Sequence, residues 1–456
     1  MAKRLVVVGG GAAGMSAASA ARRTDRELEI AVLESGPFPS YGVCGIPYYL
    51  SGVVPDAQSL VSYPAEEFRE RRRIDLRLET SVSSIDLMGR RVTTGAGEVL
   101  DFDRLVLALG ARPIVPRIPG VAHPRVVTVR RLDDAIALRA MLGEVRRAVV
   151  VGAGYVGLEM AESLCESGIR VTVVDRLPRV MSTLDVDVAE IVEEEVRRHA
   201  ELVLSSSLVA IHARGDELTV ELADRSIDTD LVVLALGVQP QTELVSGQVE
   251  MTAGGALLVN SMMSTSVSGV FAAGDCVALP HRVLRAPAYV PLGPAANKTG
   301  RVAGTVAAGG SASFGGIVGT AVAKVFDLTV AHTGLTLADA SKAGMSAMAT
   351  DVTAKSRAKY YPGAEPLRVR LVHTASGQVL GAQIVGRDGA AQRIDVIAAA
   401  LHGGMTVDDV ASLDLAYAPP YSPVYDPITQ AAAAAQVAMA KAAAAAQVAM
   451  ATAAAG

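Results

Sequence analysis

The sequence predicts an α/β protein made of two parallel-sheet domains of one plan, with an α+β domain after them. Three observations carry this. Residues 4–34 and 147–175 each run as apolar strand, glycine turn, Ala-rich helix, apolar strand and terminal acid, the pattern of a βαβ unit. After each unit comes a segment closing on a parallel phrase, LVLALGARP at 105–113 and LVVLALGVQP at 231–240. From about Thr320 the pattern changes to alternating strands at 367–372 and 380–385 and a helix-like run at 390–401.

Composition agrees with this plan. A chain of 456 residues exceeds what one core usually holds. Half of it is apolar, none of it is Trp, and most of the 43 Gly lie in short clusters beside Val, Leu and Ala runs, as parallel α/β folds require. A net charge of -5 offers no chain-wide basic field for a polyanion, so nucleic acid is not an expected partner. The apolar run after Lys3-Arg4 is too short for a signal peptide, and the reading is cytoplasmic. Cys44, Cys165 and Cys276 are too scattered for a disulfide framework, and the seven His show no metal spacing, so no metal is expected.

In order along the chain, a first domain is expected at residues 1–112. The strand-like run 269–273, the Gly274-Asp275 that ends it and a helix-like run at 295–308 resume it over 245–318. A second domain occupies 113–244 and the α+β domain 319–430. Residues 431–456 hold an 11-residue tandem repeat, AAAAAQVAMAK and AAAAAQVAMAT, read as a surface helix or a disordered tail whose deletion is harmless. A membrane span is disfavoured because Lys441 sits mid-run, where a charge costs about 2.5 to 3.5 kcal/mol.

The glycine turns say what the two units bind. VVVGGGAAG at 6–14 spaces Gly9, Gly11 and Gly14 as G-x-G-x-x-G between a strand and a helix, and Glu34 lies 20 residues beyond Gly14. Glycines allow the backbone to approach a pyrophosphate at the helix N-terminus, and the acid accepts a ribose hydroxyl. VVVGAGYVG at 149–157 repeats this with Gly152, Gly154, Gly157 and Asp175. Two dinucleotides are implied. Asp175 favours NADH over NADPH, with Arg176 beside it as the feature that would admit NADPH.

Two such units, the phrase TSVSGVFAAGD ending at Asp275 and an early cysteine resemble the pyridine nucleotide-disulfide oxidoreductases up to about Pro427. The resemblance implies two Rossmann-like dinucleotide-binding domains, one for FAD and one for NAD(P)H, with a C-terminal dimerisation domain and a homodimer. It adds Gly110, Asp275 and Ala296 to the FAD residues, with Asp275 on the ribitol and the helix near Ala296 aimed at the flavin ring. It adds Gly237 and, gating and flanking the nicotinamide, Tyr155 and Glu159 to the second set.

The phrase SYGVCGIPYYLSG at 40–52 narrows the branch. Two-cysteine members space their pair as C-x-x-x-x-C, and here the second position is Tyr49, so Cys44 has no resolving partner. It must pair with a substrate thiol, carry a persulfide or cycle through sulfenic acid, each needing a thiolate that a helix N-terminus and a flavin would favour. Members that reduce peroxide or oxygen to water typically carry a His where Ala12 stands. SYGVCGIPYY, YYPG at 360–363 and YAPPYSPVYDP at 417–427 instead resemble the coenzyme A disulfide reductase and polysulfide reductase branch. That likeness implies that Tyr361 and Tyr417, with Tyr421 as a further candidate, reach a partner subunit's cysteine and donate protons to a departing thiolate. It also implies coenzyme A contacts at Arg22 and Ser40, with Asn297 and Arg301 from the partner. Val43 stands where branch members often have Asn. The expected activity is reduction of coenzyme A disulfide, a polysulfide or a coenzyme A persulfide. An NADH oxidase and a flavin-bound redox sensor are the alternatives.

Overall fold

The computed structural model describes residues 3–455, without the side chains of 451 and 453–455. A first sheet places five parallel strands in the order Val270–Ala272, Arg104–Leu107, Arg4–Val8, Glu29–Leu33, Asp75–Arg77. Leu5, Val6 and Val7 on its central strand have no exposed surface, and the core they belong to includes Ile85, Val92 and Leu100 of a small antiparallel sheet formed by Val82–Asp86, Arg91–Thr94 and Val99–Asp101. The strand Val270–Ala272, remote in sequence, pairs with Arg104–Leu107, so the late segment returns to the first sheet. On one face the helices Ala12–Thr24 and Gly293–Ala307 cross in backbone contact. A Cβ on Gly300 would lie 2.2 Å from the Ala13 carbonyl oxygen and one on Gly304 1.9 Å from that of Ala17, so both positions require glycine.

The second sheet repeats the plan, again all parallel: Glu201–Val203, Arg170–Val174, Arg147–Val151, Leu231–Leu234, Val126–Thr128. The third is antiparallel, in the order Ala321–Val325, Leu328–Gly334, Val379–Gly386, Pro366–Thr374, Ala347–Lys355. The helix Ala390–Gly403 packs on it and stops at Gly404, whose φ of 69° is the left-handed turn a C-terminal glycine supplies. Buried hydrogen bonds lock this domain to the second one. The Gln383 amide donates to Asp185 Oδ2 (2.6 Å) and accepts from the Asp185 N–H (2.8 Å), and Glu162 receives both Lys324 and the Phe326 N–H.

The C-terminal repeat is not a uniform tail. One helix, Pro427–Ala455, carries both copies, and Ala431, Ala432 and Ala435 of the first are buried with Ile394, Ile397 and Ile428. Residues 442–450 of the second are exposed. The repeat looks featureless in sequence because alanine is barely apolar, yet its small side chain lets a helix lie close on a sheet. Removing 442–456 is therefore expected to leave cofactor content and melting temperature unchanged. Removing 431–456, expected from sequence to be harmless, should instead cost about 2 to 4 kcal/mol of stability through the opened core, measured by thermal melting. No helix among the described residues is long and apolar enough to cross a membrane.

Candidate active site

Both glycine turns have the same geometry. Gly9 (φ 104°) and Gly152 (φ 111°) start them in a backbone region closed to other residues, and a Cβ would strike Ala108 or Ala235. A Cβ on Gly14 or Gly157 would lie 1.8 Å from the carbonyl oxygen of Gly9 or Gly152, so each helix sits directly on its own turn. Gly11 and Gly154 differ: nothing lies within 4 Å of a Cβ built there. The helices Ala12–Thr24 and Tyr155–Glu166 begin just after them with no side-chain cap, so their first N–H groups face open space. That is a cradle for a pyrophosphate.

The acids sit alike as well. Glu34 accepts from the Gly10 N–H (2.6 Å) on one oxygen and the Gly36 N–H (2.7 Å) on the other. Asp175 accepts from Ala153 (2.7 Å) and Leu177 (2.8 Å). Each carboxylate is thereby fixed at its turn with lone pairs left for ribose hydroxyls. Gly110 (φ 68°) and Gly237 (φ 94°) end the matching phrases in left-handed turns. The helix carrying Ala296 starts at Gly293, earlier than the sequence indicated, with Pro294 in its first turn and no side-chain cap. Asp275 is held by Arg130 at 2.6 Å, and the Tyr289 hydroxyl close by is buried without a hydrogen-bond partner. Tyr155 also has an orphaned buried hydroxyl, its neighbour Thr183 lying outside hydrogen-bond geometry, and burial pushes its pKa up to about 12. Buried polar atoms without partners are rare in folded proteins. Their place here fits FAD at the first unit and a pyridine nucleotide at the second. Arg130 and Tyr289 carried no signal in sequence, lying in loops outside any motif.

Cys44 lies in the turn Val43–Gly45 that leads into the five-residue helix Ile46–Leu50. It is exposed, whereas Cys276 is buried and turned toward the Leu107 and Ala273 carbonyls, and Cys165 is half-buried beside the His199 carbonyl. Burial within the recess and then Glu159 push the Cys44 thiol up, Arg130 opposes them, and Asp275 adds to the rise. A helix of five residues with a proline in its first turn offers too few aligned N–H groups to offset a nearby carboxylate. The charges that act on this sulfur come from Glu159 in the second unit and Arg130 and Asp275 beside the first. It stands where the two units meet.

The tyrosines lie elsewhere on the chain. Tyr361, Tyr417 and Tyr421 are exposed on the C-terminal domain, where Tyr417 meets Tyr360 hydroxyl to hydroxyl at 3.4 Å. Tyr360, overlooked beside Tyr361 in the same phrase, is thus the residue paired with Tyr417. Arg393 brings the two loops together, donating to Asp426 (2.9 Å) and to the Ser356 (2.9 Å) and Tyr421 (3.4 Å) carbonyls.

Arg22 requires a correction. Its guanidinium donates to the carbonyls of Arg72, Asp25, Arg26 and Arg73, so it ties the end of the first helix to the next segment rather than projecting to a ligand. Ser40 holds a left-handed backbone (φ 46°) and donates its N–H to the Gly10 carbonyl, which sets the chain's path toward Cys44. Asn297 accepts from the Ser16 hydroxyl at 2.8 Å, and Arg301, one turn on, is exposed. Arg72 donates to Ser19 at 2.8 Å, and Arg23 is exposed seven residues after Ser16, on the same helix face. His281 accepts from the Val283 and Leu284 N–H groups and shapes a turn. Glu195, His199 and Asp327 converge, but Arg198 and Arg387 already pair with the two acids, making an ion-pair network.

Two dinucleotide cradles meeting at one accessible thiol define a nicotinamide- and flavin-dependent thiol redox protein. Comparison with known proteins agrees. Residues 3–300 match the family described as pyridine nucleotide-disulphide oxidoreductase, and residues 320–428 match its dimerisation domain. The NAD(P)H coenzyme A polysulfide/persulfide reductase of Pyrococcus horikoshii is 39% identical over 94% of this chain and 97% of that protein. The structure of a NAD-dependent persulfide reductase from A. fulgidus superposes with a TM-score of 0.92 at 39% identity, covering 96% of this chain and 83% of that one. The water-forming NADH oxidase of Lactobacillus brevis gives 0.94 at 30%, covering 97% and 100%. The chain belongs to the pyridine nucleotide-disulphide oxidoreductase family. FAD and NAD(P)H are the cofactors of this family, and both cradles fit them.

Proposed function

We propose that this protein is an NAD(P)H-dependent flavoprotein that reduces coenzyme A disulfide or coenzyme A-linked sulfur chains, with Cys44 as its single redox-active thiol. One observation carries the reading: Cys44 is, among the described residues, the only exposed cysteine, and the charges acting on it come from both dinucleotide units. When bound, FAD supplies the two-electron relay between nicotinamide and sulfur. The Cys44 thiolate attacks a disulfide or sulfur chain, forming a mixed disulfide and releasing one thiolate, and reduction of that bond restores it. In this reading residues 1–112 with 245–318 bind FAD and 113–244 bind the nicotinamide.

The protein works as a homodimer in this proposal, with residues 319–430 extended by the first repeat copy forming the interface. The exposed tyrosines supply the partner's half of the site. The hydrogen bond to Tyr360 raises the Tyr417 pKa, so the hydroxyl keeps its proton at neutral pH and can give it to a departing thiolate.

Coenzyme A carries phosphates, which guanidinium groups receive. Because Arg22 is committed to backbone carbonyls, Arg23, Arg72 and Arg301 around Ser16 and Asn297 are the phosphate ligands of this reading. Arg23→Ala is expected to raise KM for coenzyme A disulfide about tenfold with kcat within a factor of two. Arg22→Ala should mainly lower the melting temperature. Equal KM effects in steady-state assays would remove the distinction.

The experiment that tests the function is anaerobic, NADH-dependent release of thiol from coenzyme A disulfide and from polysulfide. The oxidase is the second reading, favoured by the likeness to a water-forming NADH oxidase and opposed by Ala12, which leaves no imidazole at the first turn. Oxygen uptake with NADH alone matching the rate with disulfide would move the assignment to it.

A further inference from the structure

Cys44 is strung between the two dinucleotide units. Just before it, the Ser40 N–H donates to the Gly10 carbonyl of the first glycine turn at 3.0 Å. After it, the chain leaves the first unit. Ile46, Tyr49 and Leu50 are buried in one core with Leu138, Leu158 and Leu164 of the second unit, and none of them joins the core of the first sheet. Polar side chains of the second unit hold the same stretch. From the helix Leu132–Met141, the Arg139 guanidinium lies over the Tyr49 ring, 4.3 Å from its centre, and donates to the Val54 (3.3 Å) and Pro55 (3.1 Å) carbonyls. From the helix Tyr155–Glu166, the Ser163 hydroxyl donates to the Pro47 carbonyl at 2.6 Å, and Ser167, just past the helix end, reaches the Leu50 carbonyl at 3.5 Å.

The Ser163 bond stands apart from the others. A serine inside a helix commonly turns to solvent or bonds the carbonyl one turn back along its own helix. Ser163 does neither: it is 3% exposed, and its single hydroxyl proton crosses to the cysteine segment. The carbonyl it reaches lies in the first turn of the helix Ile46–Leu50, and the Cys44 turn runs straight into that helix, the Ile46 N–H bonding the Val43 carbonyl.

We propose that Ser163 is a positioning residue for Cys44, through which the nicotinamide unit sets where the thiol stands at the seam of the two units. This deepens the reading of Cys44 as the redox centre and rests on it. The helix that opens on the second cradle also fixes the sulfur, by way of Pro47 and the turn Val43–Gly45. Anchorage at Ser40 alone would leave that turn free to pivot, and the Ser163 bond removes the freedom from the other side. Placement matters because a reacting atom displaced by about 1 Å can lose about a hundredfold in rate.

Ser163→Thr and Ser163→Val test this together, because they match in shape and differ in the hydroxyl, so a packing fault is common to both. On FAD-loaded protein two rates are measured: NADH-dependent thiol release from coenzyme A disulfide, and alkylation of Cys44 by iodoacetamide at neutral pH, followed by mass spectrometry of the Cys44 peptide. Ser163→Val should lower kcat for thiol release about tenfold with KM within a factor of two, and should alkylate about fivefold faster as the turn is released from its recess. Ser163→Thr should stay within about a factor of two of wild type in both rates. Ferricyanide reduction by NADH, which needs the flavin and not the thiol, should be unchanged in both variants. Equal behaviour of the two variants, whether both match the wild type or both lose rate, would overturn the role of the hydroxyl, and so would ferricyanide reduction falling in step with thiol release. Alkylation needs no disulfide, so a difference between the variants there, alongside absent thiol release from the wild type, would retire the proposed substrate while leaving the positioning role standing.

Discussion

Cys44→Ser is expected to lower NADH-dependent thiol release by about three orders of magnitude. A serine hydroxyl is not ionised at neutral pH and cannot form the mixed disulfide, so nothing in the protein replaces the lost sulfur. The fold should survive, because Cys44 is exposed and touches none of the buried cores. FAD absorbance and NADH-driven reduction of ferricyanide, which takes electrons without a thiol, should stay within a factor of two. Thiol release within tenfold of wild type in the variant would show that sulfur reduction does not run through Cys44, and the mechanism would have to be abandoned. Equal loss of FAD would show instead that the turn Val43–Gly45 is structural.

The second large effect separates the two cradles. Gly157→Ala places a Cβ 1.8 Å from the Gly152 carbonyl oxygen, a contact that only a shift of the second helix off its turn relieves. NADH affinity should fall about a hundredfold, measured by anaerobic titration of the flavin spectrum, while FAD content and reduction by dithionite remain. Gly14→Ala makes the same collision with Gly9 and should instead cost FAD itself, giving colourless protein. If Gly157→Ala lost FAD, or Gly14→Ala kept it with NADH affinity broken, the two turns would have been assigned the wrong way round.

Some features were legible because they are local. The glycine spacings, the acid closing each unit and the changed pattern from Thr320 are properties of consecutive residues, since backbone sterics and strand or helix period act over a few positions. The late strand near residue 270 was readable too, because its apolar run ends in the same kind of glycine turn. Arg22 was misread for the opposite reason. Beside Arg23 it looks equally exposed, and which of the two turns inward depends on where the 72–73 carbonyls fall.

The sequence by itself thus determined two dinucleotide cradles and the kind of fold that holds them, because each is written in residue types a few positions apart. Only the tertiary structure decided what surrounds the sulfur. Glu159, Arg130 and Asp275 come from three separate stretches of chain, and Tyr360 and Tyr417 meet because Arg393 draws two loops together. It also buried one face of the first alanine repeat, at Ala431, Ala432 and Ala435, and left residues 442–450 of the second exposed, although the two are nearly identical in sequence. Charge interactions and burial act through space and depend on distance and desolvation, and neither quantity is a function of position along the chain.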